Sequence, residues 1–200
     1  MSRLVAINHL TLDGVMQAPG RPDEDRSGGF AHGGWGASRT DEVMGRALGE
    51  RMGRGRALLL GRRTYQQLFE FWPSQPPNPY TDALDRATKY VVSTTLREPL
   101  PWKNSALVSG DAAESVAGLK AEPGGDLTIM GSGELMQTLM RHDLVDEHLL
   151  MIHPVVLGTG ARLFREGGPE AALARVDCTA TTTGVVIATY RPTRTGAGTA

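Results

Sequence analysis

The stretch Leu127-Thr128-Ile129-Met130-Gly131-Ser132-Gly133-Glu134-Leu135 constrains this chain more than any other. A run of β-prone residues stops at Gly-Ser-Gly, and the residues beyond it, Leu135, Met136, Leu139 and Met140, recur at helical spacing. The pattern predicts a strand that passes through a glycine turn into a helix. Such a junction leaves backbone N–H groups without partners at a helix N-terminus, where the dipole favours negative charge, so it suits a phosphate or pyrophosphate.

The rest of the chain repeats this alternation. Leu4 to Leu10 reads as a strand closed by the turn Asp13-Gly14, and Ala57 to Leu60 as a strand buried on both faces. Thr88 to Val92 and Ala106 to Val108 follow as strands. Helices are expected from a Ser38 or Thr40 cap through Met52, from Arg62 to Phe71, and from Ala112 to Leu119; Ser74 to Tyr80 reads as a proline-rich connection. The run His148 to Leu157 reads as a strand with a proline-marked end, and Arg175 to Thr182 with Val185 to Tyr190 as a hairpin. Alternation up to Met140 followed by a hairpin predicts a three-layer α/β fold: a mixed, mostly parallel central sheet of about eight strands flanked by helices, with antiparallel C-terminal strands. With 200 residues, 40% of them hydrophobic, the chain supports one core, so a single domain over residues 1–192 and a frayed tail over 193–200 are expected. Between Gln17 and Ser38 lies a long glycine-rich loop with two aromatics, which reads as a lid or binding loop.

Composition removes several classes of function. A formal net charge of -1 gives no polyanion signature, so neither nucleic acid nor an anionic membrane is the expected partner. The lone Cys178 cannot form an internal disulfide, the N-terminus lacks a signal-peptide core, and no apolar run approaches membrane-spanning length. A cytoplasmic protein is expected. The histidines His9, His32, His142, His148 and His153 show no metal-ligand spacing, so no metal is expected, and His148 and His153 read as satisfied strand residues. Neither Gly131-Ser132-Gly133 nor Gly158-Thr159-Gly160 has the third glycine of a Rossmann fingerprint, and Ser132 lacks the spacing of a nucleophile elbow.

Three strand ends do carry related chemistry: Gly61-Arg62-Arg63-Thr64, Ser93-Thr94-Thr95 and Gly131-Ser132-Gly133. In open α/β sheets ligands lie outside the carboxyl ends of the strands, so the three should converge on one site. Arginine grips phosphate through two parallel hydrogen bonds and hydroxyls add further donors, a set suited to the 2′-phosphate that separates NADP from NAD.

Taken together, Leu12-Asp13-Gly14, Leu60-Gly61-Arg62-Arg63-Thr64-Tyr65 with Trp72-Pro73, Met130-Gly131-Ser132-Gly133, Leu144-Val145-Asp146-Glu147 and Pro154 to Phe164 resemble the dihydrofolate-reductase-like superfamily. Within it the chain is similar to the branch that includes the C-terminal reductase domain of bacterial riboflavin biosynthesis. The resemblance runs from Leu4 to Tyr190 and implies NADPH as cofactor. It places Arg62, Arg63 and Thr64 at the 2′-phosphate and pyrophosphate, Ser93 and Thr94 beside the adenosine phosphate, Gly131, Ser132, Gly133, Glu134 and Leu135 under the pyrophosphate with Gly61 beside them, and Ala6 near the nicotinamide. It also implies a homodimer, to which His148 to Leu157 would contribute.

The substrate side departs from the folate-reductase pattern, because the best-aligned position, near Gly45, carries no acid. Asp41 and Glu42 on the first helix, Asp13 in its turn and Trp35 as a stacking surface are the candidate substrate groups. The sequence therefore leads to an NADPH-dependent reductase of a small heterocyclic, pteridine- or aminopyrimidine-like, or carbonyl substrate. The alternative is a nucleotide- or ligand-binding protein with the same fold and no turnover.

Overall fold

The computed structural model describes residues 1–193; of the expected tail, 193–200, Thr193 donates to the Ala172 carbonyl and the rest lies outside the described residues. Eight strands form one sheet: β1 (Leu4–Thr11), β2 (Gly55–Gly61), β3 (Thr88–Val92), β4 (Ser105–Val108), β5 (Asp126–Met130), β6 (Glu147–His153), β7 (Leu173–Ala180) and β8 (Val186–Pro192). Their order is β4-β3-β2-β5-β1-β6-β8-β7. Every pairing from β4 to β6 is parallel, and the hairpin β7–β8 joins β6 antiparallel. This is the expected three-layer architecture.

Five helices cover the sheet: α1 (Glu42–Arg54), α2 (Arg62–Phe71), α3 (Pro79–Arg86), α4 (Ala112–Ala121) and α5 (Gly133–Arg141). The central strands divide their side chains between two cores. Leu4, Ala6, Ala57, Leu59, Leu127 and Ile129 pack under α4 and α5. On the other face Val5 and Ile7 meet Met44 of α1, while Leu58 and Leu60 meet Tyr65 of α2 and Leu84 of α3. Burial on both faces explains the unbroken apolar runs. Truncating a fully buried leucine such as Leu59 to alanine removes about 2–5 kcal/mol of stability.

The structure moves several sequence-level boundaries. The N-cap of α1 is Asp41, not Ser38 or Thr40. The supposed connection from Ser74 to Tyr80 ends in α3, with Asn78 capping the N–H groups of Tyr80 and Thr81 and Pro79 in the first turn. Strand β6 stops at His153, since Pro154 has no N–H to continue the ladder. That strand lies between β1 and β8 with His148 to Met151 and His153 buried, while the run His148 to Leu157 reaches the surface at Val156. At the N-terminal end of the sheet the buried carboxylate of Glu147 is neutralised by Arg51, Arg191 and Arg3. The functional groups gather at the opposite end.

Candidate functional site

A cavity of about 1290 Å³ opens at the carboxyl ends of β1, β2, β3 and β5. Its floor begins at the turn between β5 and α5. Gly131 and Ser132 both adopt left-handed backbone, with φ of 55° and 54°. A side chain at position 131 would be strained and would bring its Cβ to 3.4 Å from Thr64 Cγ2.

Hydroxyls knit this turn to the neighbouring one. Ser132 Oγ donates to the Met130 carbonyl and accepts from the Gly61 N–H, each at 3.0 Å, while the Ser132 N–H donates to Thr64 Oγ1 at 3.1 Å. Both hydroxyls are thus committed to holding the turns together. The main chain is left for a ligand. Helices α2 and α5 start at Gly61 and Ser132 without any side-chain cap, and the first residues of both line the cavity. By contrast, α1, α3 and α4 are capped by Asp41, Asn78 and Asp111. Two uncapped N-termini facing one cavity concentrate donors and positive potential where a pyrophosphate fits.

Around this floor stand Arg62, whose Nη1 donates to Gln66 Oε1 at 3.1 Å, and the exposed Arg63. At the end of β3, Ser93 Oγ accepts from the N–H groups of Thr95 and Leu96, which shapes a turn presenting the exposed Thr94 to the cavity. Gly61, Arg62, Arg63, Thr64, Ser93, Thr94 and Gly131 through Leu135 therefore come together at one site. Glu134 pairs with Arg165 at 2.5 Å on its rim.

The β1 side differs from expectation. Ala6 is fully buried in the core under α4 and α5; the cavity is lined instead by Ile7, Asn8 and His9. Asn8 is buried, and neither atom of its amide has a partner. His9 Nδ1 lies 2.9 Å from Nε2 of the buried His153, against which the Trp35 ring stands edge-on. Burial, and secondarily the neighbouring His153, pushes His9 down to about 4; burial, then Arg39, does the same to His153. Both imidazoles are neutral at pH 7.

Asp13, Trp35, Asp41 and Glu42, the four residues expected to meet the substrate, do not line the cavity. The Asp13 carboxylate accepts from Thr11 Oγ1 and from the N–H groups of Leu157 and Gly158, bonds that hold it well down, to about 2. Trp35 is buried with Val15, Ala18 and Phe30 and donates Nε1–H to the Gln17 carbonyl at 2.7 Å. Asp41 caps α1 through the Met44 N–H and also accepts from the Thr182 N–H and hydroxyl. Glu42 lies in the first turn of α1, away from the lining. Helix α1 instead presents Met44 and Leu48, an apolar surface. The loop from Gln17 to Ser38 roofs the cavity: Arg21 stacks on the Phe71 ring at 4.2 Å and Gln67 donates to the Glu24 carbonyl. Among the described residues no cluster of His, Cys, Asp and Glu is arranged to hold a metal ion, and no helix is long and apolar enough to cross a membrane.

The His9–His153 pair is not legible in the sequence, because its members are 144 residues apart. The only available signal was β-strand periodicity, which assigns a face but no partner.

Comparison with known proteins agrees with this fold. A family model described as the RibD C-terminal domain matches residues 4–187. The uncharacterized protein YyaP of Bacillus subtilis is 32% identical over 139 residues, which cover 66% of this chain and 72% of YyaP. A putative riboflavin biosynthesis protein from Shewanella has the same fold, with a TM-score of 0.70 at 22% identity, over 96% of this chain and 99% of that one. Dihydrofolate reductase from Enterococcus faecalis, solved with NADP(H), also shares it, with a TM-score of 0.59 at 15% identity over 95% of this chain and 96% of the other.

Proposed function

The chain belongs to the RibD C-terminal domain family, which has a reductase fold, and from that premise we propose that it is an NADPH-dependent reductase of a small heterocyclic or carbonyl compound. The observation that carries the reading is the pair of uncapped helix ends, α2 and α5, opening onto one cavity beside Arg62 and Arg63.

The residues present fit a dinucleotide phosphate. Backbone N–H groups of Gly133, Glu134 and Leu135 would receive the pyrophosphate, and Arg62 or Arg63 with Thr94 the 2′-phosphate. Asn8 and His9 stand at the far end, where β1 lies three strand spacings from β3, about 14 Å away. An extended dinucleotide reaches across that distance, and its nicotinamide would then lie at the β1 end. Bound NADPH supplies the hydride. The protein positions the acceptor in the slot of Ile7, Met44 and Leu48, under a roof that excludes water.

The protein is proposed to act in the cytoplasm, in keeping with its single cysteine, and as a homodimer. The exposed edge strand β7 offers a pairing surface that the interior β6 does not. To test the reductase reading, NADPH oxidation is followed by absorbance across a panel of pteridines, aminouracils, quinones and carbonyls. Turnover of at least one compound, faster with NADPH than with NADH, is expected. Tight NADPH binding with no turnover across the panel would favour the binding-protein alternative.

A further inference from the structure

The histidine pair at the end of β1 does more than fill the sheet. Nδ1 of His9 and Nε2 of His153 share one hydrogen bond at 2.9 Å, so one nitrogen donates and the other accepts. Nδ1 of His153 is buried without a partner. Two neutral arrangements are possible, and they differ in what they leave at that orphaned atom. If His9 donates, His153 must carry its proton on Nδ1, which leaves a buried N–H with nothing to bond. If His153 donates from Nε2, its Nδ1 is a bare acceptor. Buried N–H groups without partners are the rarer of the two, so the second arrangement is favoured. It puts the His9 proton on Nε2, the one nitrogen of the pair that has no partner among the described residues and belongs to a cavity-lining residue.

The surroundings give that proton a use. His9 and Ile7 project from the same face of β1, toward α1, where the cavity wall is Met44, Leu48 and Ala37. Thr40 and His9 are the polar groups of this wall. No carboxylate of α1 lines it; Asp41 is spent on its cap and on Thr182, and the roof carboxylates Glu24 and Asp25 accept from the N–H groups of Gly20 and Arg21 and of Ser27. Hydride addition to a C=O or C=N bond moves the π pair onto oxygen or nitrogen, and a fixed donor aimed at that atom in a dry site stabilises the charge as it forms.

We infer that His9, held as its Nε2–H tautomer by His153, is the hydrogen-bond donor to the carbonyl oxygen or imine nitrogen of the compound reduced in this cavity. The inference rests on the reductase reading proposed above. His9 is the catalytic residue in this account and His153 its positioning residue; the heteroatom takes its final proton from solvent water as the reduced compound leaves the roofed cavity. Burial keeps both rings uncharged at pH 7, so each carries a single N–H and the bond between them decides which His9 nitrogen bears it.

The test is long-range ¹⁵N–¹H correlation on labelled protein at pH 7, with and without NADP⁺, which reads the tautomer of each ring independently of turnover. The expected result is His9 protonated on Nε2 and His153 donating from Nε2. His9 protonated on Nδ1, or charged, overturns the inference. His153→Phe retains an aromatic ring beside Trp35 but removes the donor, so His9 should become a mixture of tautomers; an unchanged His9 signal removes His153 from the account. With a compound that the NADPH panel shows to be turned over, His9→Phe should slow single-turnover hydride transfer about 100-fold with NADPH affinity within about threefold, and His9→Gln should recover part of that loss. A His9→Phe rate equal to wild type overturns the inference while leaving the reductase reading intact. If wild-type protein binds no NADPH, the reductase reading fails, and the role of His9 in reduction falls with it.

Discussion

The two walls of the cavity are built by different means. Along β2, β3 and β5 the cavity-facing groups are main-chain amides at two uncapped helix ends with Arg62, Arg63 and Thr94 beside them, the Ser132 and Thr64 hydroxyls being spent on bracing the turns. Along β1 and β6 they are side chains: a histidine pair, an unpartnered asparagine amide and an apolar slot from α1. One wall presents fixed dipoles that do not titrate and tolerate many side chains. The other depends on the identity and protonation of a few residues. A cofactor common to a whole family suits the first kind of wall, and an individual substrate suits the second.

Acid should separate the two walls most strongly. His153 behind the side-chain wall and His148, farther back on the same strand, are both held at about 4 by burial, against an ordinary value near 6.5 in the unfolded chain. The unfolded state therefore binds more protons between those values. Stability is full above pH 6.5 and falls by ~1.4 kcal/mol per pH unit for each residue as pH drops to 4, about 3 kcal/mol apiece over that window. Melting temperature across pH checks this, and a flat profile from 7 to 4.5 would show that the rings are not buried as neutral groups.

Gly61→Asp attacks the other wall directly. Position 61 has ordinary extended backbone, and an added Cβ would sit 3.6 Å from Ser132 Cβ, an unstrained contact. The new carboxylate would cap α2 as Asp41 caps α1, raising stability by about 0.5–1 kcal/mol while placing negative charge where a phosphate belongs. NADPH affinity should fall about 100-fold or more by calorimetric titration. Retained affinity would mean that the end of α2 is not the phosphate site.

How much of this was legible beforehand follows the same division. Glycine turns announce themselves, so Gly61, Gly131 and Gly133 located the main-chain wall from sequence alone. Side-chain walls do not, because the pairing of His9 with His153 is set by the register of β1 against β6. Asp13 and Asp41 resembled site acids because a carboxylate that closes a turn or caps a helix is the same residue in sequence as one that faces a ligand. Their neighbours in space, Gly158 and Thr182, decide between those roles. The missed helix α3 carried its signal openly in Asn78-Pro79, a cap followed by proline in the first turn.

Smaller effects sharpen the contrast. Arg62→Ala should weaken NADPH about tenfold and NADH less than twofold, the loss of one charge-assisted contact to the 2′-phosphate. Equal losses for both nucleotides would move Arg62 to the pyrophosphate. Asp41→Ala should cost about 1 kcal/mol in urea unfolding, through its cap, and leave NADPH affinity unchanged. A large change in affinity would return Asp41 to the binding site.

The central claim is that two uncapped helix ends hold a dinucleotide phosphate, and calorimetric titration of the wild-type protein with NADPH tests it most directly. The account predicts saturable one-site binding at micromolar or lower Kd, about -8 kcal/mol or stronger, with a melting temperature that rises with NADPH concentration. No binding heat and no shift in melting temperature at millimolar NADPH would contradict it.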